Sequence, residues 1–168
     1  SLNAGFSYND AEIRRDFCRI ANATFDCTTP GNALLAPAGS RLPVTPKFKG
    51  NMIARYEFPI SDWNGHVQLA ANHTGSRATD LRTAQKALKG NLGAYTTVDF
   101  SFGVKNDLWS IEAFATNLFD SFGVVNTGVS CVETVCGTGV TPSTPTGGAF
   151  YDTIIKPRVI GLKFSRDF

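Results

Sequence analysis

Residues 92–117 read LGAYTTVDFSFGVKNDLWSIEAFATN. Two runs of alternation flank a short polar turn, Lys105-Asn106-Asp107. In the first run, about 92–104, Val98, Phe100, Phe102 and Val104 share one parity; Tyr95, Thr97, Asp99 and Ser101 share the other. In the second, about 107–117, Trp109, Ile111, Ala113 and Ala115 oppose Ser110, Glu112 and Thr116. A period of two puts successive side chains on opposite faces of a strand. An Asn/Asp turn between two such runs makes an antiparallel hairpin.

The pattern extends outward from this hairpin. Upstream, about 1–13 sets Leu2, Ala4, Phe6 and Tyr8 against Asn3, Gly5, Ser7 and Asn9. About 46–58 sets Met52, Ala54, Tyr56 and Phe58 against Asn51, Ile53, Arg55 and Glu57. About 64–76 sets Val67, Leu69 and Ala71 against His66, Gln68 and Asn72. Downstream, about 150–168 sets Ile160, Leu162, Phe164 and Phe168 against Val159, Gly161, Lys163, Ser165 and Asp167. The expected fold is all-β, an antiparallel up-and-down meander of about six strands.

Composition narrows the class. The chain has 168 residues, 42% of them hydrophobic, with 13 Phe and one Met. That is neither a disordered composition nor a helical membrane protein. No apolar run approaches the ~18–20 residues of a transmembrane helix. A transmembrane barrel escapes that test, because a strand crosses with about 9–11 residues and only alternate ones face lipid. The net charge of +2, spread without a basic run, gives no case for nucleic acid.

The connections run long, short, medium, short, long, so every long loop lies at one end of the strands and every short turn at the other. Outer-membrane barrels have that asymmetry, with short periplasmic turns and long extracellular loops. The aromatics Tyr56, Phe58, Phe100, Phe102, Trp109, Phe164 and Phe168 are expected near the short turns or the terminus, as in an interfacial girdle. A soluble antiparallel sheet with one solvated face shares the same periodicity, so both a membrane barrel and a soluble β-sandwich module remain open on pattern alone.

Three blocks carry a family resemblance. RLPVTPKFKGNMIARYEF (41–58) resembles a late barrel strand of TonB-dependent outer-membrane receptors, with a Pro-x-x-Pro-Lys lead-in and a Tyr-x-Phe end. AYTTVDFSFGVKNDLWSIEAFATNLFDSFG (94–123) is similar to the hairpin before their last strand, with its core from Trp109 to Asp120. KPRVIGLKFSRDF (156–168) is similar to their final strand, which ends in Phe. The blocks follow the family's order and span essentially the whole chain.

The resemblance implies a Gram-negative outer-membrane location and a large barrel of about 22 strands around a plug. It implies uptake of a scarce small-molecule ligand of the siderophore–iron, vitamin B12 or carbohydrate class, driven by TonB–ExbB–ExbD through the plug. On this reading residues 1–168 are the C-terminal part of the barrel, without plug or earlier strands. Six strands are fewer than the smallest membrane barrels, about eight, and unpaired edges are not tolerated in lipid. Ile160, Leu162, Phe164 and Phe168 match the signal read by the barrel-assembly machinery; Arg166 interrupts it. A porin fragment shares these features without a plug.

The four cysteines form two local pairs, Cys18 with Cys27 and Cys131 with Cys136. Short turn-rich spacings favour two disulfides, whereas a four-cysteine zinc site has tighter knuckles. His66 and His73 are an odd seven apart, hence on opposite faces, which disfavours a shared metal. No nucleophile elbow or zinc-protease motif is present, and the glycines of CGTGVTPSTPTGG open no phosphate-binding helix. Asp99 and Glu112, on neighbouring strands, offer either a carboxylate pair with a raised pKa or separated polar residues in a wet interior, and the second is expected. Arg14, Arg15 and Arg19 in the first long loop suit either an anionic ligand or plain solvated charge, the commoner case. The sequons at Asn22 and Asn72 are incidental in a bacterial protein. No enzyme activity and no cofactor is expected.

Overall fold

The structure, a computed structural model, describes residues 1–21, 23–130 and 149–166. Six strands form one antiparallel sheet in the order β1 (Leu2–Tyr8), β4 (Phe48–Ile60), β5 (Trp63–Thr74), β8 (Tyr95–Lys105), β9 (Trp109–Thr116) and β12 (Val159–Arg166). Sequence neighbours are spatial neighbours throughout, as an up-and-down meander requires. Three two-stranded ribbons sit in the connections: β2 (Phe17–Cys18) with β3 (Leu34–Ala36), β6 (Arg77–Ala78) with β7 (Asn91–Leu92), and β10 (Val124–Ser130) with β11 (Ala149–Ile154).

The register turns the alternation into rows. Leu2, Ala54, Leu69, Phe100, Ala115 and Ile160 lie in one row across all six strands. Tyr56, Val67, Phe102, Ala113 and Leu162 form the next, then Phe58, Gly65, Val104, Ile111 and Phe164. Large side chains sit beside small ones: a Cβ at Gly65 would come within 2.7 Å of the Phe58 ring, so only glycine lets that ring lie across β5.

Nothing among the described residues covers this face. Phe6 is 83% exposed, Leu162 78% and Phe164 67%, and among the described residues no large side chain is fully buried. Of the five hydrophobic residues buried among the described ones, only Ala115 belongs to the main sheet. A sandwich would have buried these rows against a second sheet, so the soluble-sandwich expectation fails. The length fits a bilayer instead. The 13 residues of β4 extend about 44 Å at ~3.4 Å each, and a ~45° tilt reduces that to about 30 Å, the hydrocarbon thickness.

The short turns are tight. Ile60 pairs with Trp63 around Ser61-Asp62. In the next hairpin the Asn106 carboxamide oxygen accepts from the amides of Leu108 and Trp109 at 3.0 and 2.7 Å, the turn device expected of Asn.

Several boundaries differ from the sequence expectation. The first strand ends at Tyr8 rather than near 13. The fourth begins at Tyr95, which leaves Phe100 at mid-strand opposite Leu69 and Ala115 rather than near a turn. The sixth segment, expected to be continuous over 150–168, is two strands. β11 lies outside the main sheet and pairs with β10, a strand within the last connection, which was expected as a long loop. Pro157 has no amide to donate to a ladder, and it lies in the irregular stretch 155–158 between β11 and β12. A helix, α1 (Thr83–Lys89), occupies the medium loop; Ala, Gln, Lys and Leu favour it, and Gly90 ends it at φ 74°.

The joint between β9 and β12 is built from side chains. Asn117 is buried at φ 49°, a conformation Asn tolerates. Its carboxamide nitrogen donates to Ser121 O and Lys156 O at 2.9 and 3.1 Å, and its oxygen accepts from Ser121 N at 2.9 Å. The Asp99 carboxylate accepts from Asn117 N at 2.8 Å, and Asp120 accepts from Arg158 N at 2.9 Å. The Asn117→Ala variant strands these backbone groups. Its apparent thermal midpoint, followed by β-sheet circular dichroism in detergent, should fall by an amount equivalent to about 1–3 kcal/mol; an unchanged midpoint would show that the joint contributes nothing.

Candidate functional site

The opposite face of the sheet is polar and its charges are ordered in rows. Glu57, His66, Gly103, Glu112 and Lys163 form one row across β4, β5, β8, β9 and β12. His66 Nε2 donates to Glu112 Oε2 at 3.2 Å, and Lys163 Nζ donates to Glu112 Oε1 at 2.9 Å. His66 and Glu112 are separated by the whole of β8. They meet because Gly103 stands between them: a Cβ there would lie 2.5 Å from His66 Cε1. In the adjacent row Arg55 donates to Glu57 at 2.8 Å and to Gln68 at 3.2 Å. Lys163 also sits 4.9 Å above the Phe114 ring, which lies over Gly161.

This network is an open polar surface. A recess of about 370 Å³ lies among Arg55, Gln68, Asp99, Glu112, Phe114 and Lys163. Asp99 and Glu112 do not form a carboxylate pair, since Asp99 holds the Asn117 amide and Glu112 holds His66 and Lys163. His73 is on the apolar face, 5.8 Å from the Phe48 ring and 2.8 Å from Thr96 Oγ1. Among the described residues no group of three His, Cys, Asp or Glu could hold a metal. The arrangement suits a wet, charge-balanced wall.

The two ends of the sheet differ. At the short-turn end, Trp109 packs on Phe164 with centroids 5.1 Å apart, and Tyr56 stacks with Phe58 at 5.7 Å. Arg166, which breaks the apolar alternation, lies opposite Trp109 with its guanidinium 4.8 Å above the indole. A cation is tolerated on this face there because the ring accepts it and the aqueous boundary is near. Trp63 at this end, and Phe48 and Tyr8 at the other, occupy the same face; the expected girdle omitted them, although their parity was readable. Phe168 lies outside the described residues.

At the long-loop end the first loop is fixed by a disulfide between Cys18 and Cys27. Buried Asn32 braces it, accepting from Ile20 N at 2.8 Å and donating to Ile20 O and Asp26 O. Cys131 and Cys136 lie outside the described residues. Lys47, in the Pro-Lys lead-in to β4, pairs with Asp10 at 2.6 Å and closes the ends of β1 and β4.

The third loop has its own tie. Asp80 accepts from the Arg82 guanidinium, the Arg82 amide and the Lys89 ammonium at 3.0–3.1 Å. Burial works to raise its pKa, but these donors outweigh it and hold the carboxyl well below the usual carboxylate range. A depressed folded-state pKa contributes stability that is complete above the unfolded value, about 3.9, and is lost as the pH falls from there through the folded value. Corrected amide exchange across α1 should therefore be faster in Asp80→Asn than in the wild type near neutrality. The difference should narrow progressively as the pH falls below about 5; a constant difference would mean that Asp80 does not titrate in this way.

A single open sheet with an uncovered apolar face, a polar inner network and loops gathered at one end defines a section of transmembrane β-barrel wall. Residues 1–118 match the family model described as TonB dependent receptor-like, beta-barrel, and the chain belongs to that family. The family comprises outer-membrane receptors and transporters of Gram-negative bacteria. No curated protein and no solved structure gives a significant match.

Proposed function

We propose that residues 1–168 form the C-terminal wall and outer loops of a receptor that imports a scarce ligand of the siderophore–iron, vitamin B12 or carbohydrate class. The observation that carries this reading is the uncovered apolar face, Leu2 through Ile160 in row after row, on a chain of the receptor family. That face meets outer-membrane lipid. The polar face, from Arg55 to Lys163, faces the lumen and the plug, through which TonB–ExbB–ExbD drives transport. The short turns are periplasmic and the disulfide loop is extracellular.

The remaining assignments follow from the same placement. Tyr56, Phe58, Phe102 and Trp109 form the periplasmic girdle, with Phe100 deeper in the apolar band. Ile160, Leu162 and Phe164 face lipid on the last strand, and with Phe168 they are read by the barrel-assembly machinery. Further strands of the receptor pair with the free edges of β1 and β12, as lipid requires.

Fractionation of cells carrying the full-length protein tests this. It should sediment with outer membranes and need detergent for extraction, and growth on its limiting nutrient should be lost without TonB. A soluble, detergent-independent protein overturns the reading. Peptide mapping without reductant should also give linked Cys18–Cys27 and Cys131–Cys136 peptides; free thiols at these positions would remove the assignment of an oxidising location.

A further inference from the structure

We infer that the disulfide loop carries a preformed binding pocket for a small anion with a flat apolar body, such as an aromatic carboxylate. A cavity of about 450 Å³ opens within this loop, lined by Ile13, Phe17, Ile20 and Phe25 together with Arg14 and Arg15. This is in the range of small-molecule sites, which combine apolar walls with a few fixed polar groups.

Four features show that the pocket is held in place. The Cys18–Cys27 bond closes the loop, and Asn32 ties Ile20 and Asp26 together. Phe25 is held at φ 56°, a conformation that costs a bulky residue energy and persists only where the surroundings impose it. The Arg15 guanidinium lies 4.8 Å above the Phe25 ring. A preformed site spares an incoming ligand the cost of ordering the loop.

The charge selects the ligand. Neither Arg14 nor Arg15 has an ion pair among the described residues, whereas the nearby Asp16 is occupied by the Ala38 amide at 2.8 Å. The wall of the pocket is almost wholly apolar, and Arg15 sets its guanidinium against it over the Phe25 ring. A carboxylate meets the guanidinium fork in bidentate geometry, while an aromatic body fills the space between Phe17, Ile20 and Phe25. In the receptor this pocket would be a first outer contact for ligand, a role that rests on the outward placement of this end.

The test uses full-length receptor in phosphatidylcholine nanodiscs, where both faces are accessible, so binding is read independently of cellular location. Binding of 2-naphthoate should exceed that of neutral 2-naphthalenemethanol by about tenfold, and the Arg14→Gln/Arg15→Gln variant should lose about tenfold for naphthoate alone. Phe25→Ala, with the disulfide intact by peptide mapping, should weaken both compounds. Equal binding of the acid and the alcohol by the wild type overturns the proposal, as does unchanged naphthoate binding in the double-Arg variant. Naphthoate binding no greater than to empty nanodiscs, or retention of lipopolysaccharide in its place, also overturns it.

Discussion

The backbone of a chain in lipid has no water to bond, so each amide and carbonyl must find a partner in the protein. The six-stranded ladder meets that demand within the sheet, and the other properties of the sheet follow from it. Once the ladder fixes the register, alternate side chains can only point to one face or the other. The apolar residues then fall into rows, with Leu2, Ala54, Leu69, Phe100, Ala115 and Ile160 together. A slip of one residue anywhere would exchange the two faces. The two outer edges face the same demand, which is why the sheet reads as part of a larger closed wall.

The polar face shows how such a wall balances charge without a core. Glu112 is shared by His66 and Lys163, and Arg55 by Glu57 and Gln68. Exposed ion pairs of this kind contribute little individually, roughly 0–1 kcal/mol. Their effect is to keep the inner surface wet and near neutral. Gly103 and Gly161 matter here as gaps: one lets His66 reach across a strand, the other lets Phe114 lie flat beneath Lys163.

The hairpin of β8 and β9 was legible because both its signals are local, alternation and an Asn turn. The order of the six strands followed from loop lengths. The Cys18–Cys27 bond was legible from its short spacing. The β10–β11 ribbon was not, because its strands pair across a long separation and its alternation is interrupted by glycine. The helix was missed because seven residues in a polar loop give too few turns for a periodic signal. Of the polar face, the parity of His66, Glu112 and Lys163 could be read, but their meeting could not: it depends on which residues share a row, and on Gly103 between them. The disulfide-loop pocket was invisible for a similar reason, since Arg15 and Phe25 are brought together only by the bond and by Asn32.

The tract Asn117-Leu118-Phe119-Asp120 shows what lies between a motif and its cause. In the sequence it marks a resemblance and nothing more. In the structure the chain leaves one regular strand, makes an excursion through the ribbon and returns to the next, and the ladder cannot span that gap. Asn117 and Asp120, both at positive φ, bind the backbone at Ser121, Lys156 and Arg158. The start of β12 is therefore fixed from the end of β9, independently of the length or conformation of what lies between. An outer loop can then vary in sequence while the register of the last strand, and with it the face presented to lipid, stays fixed.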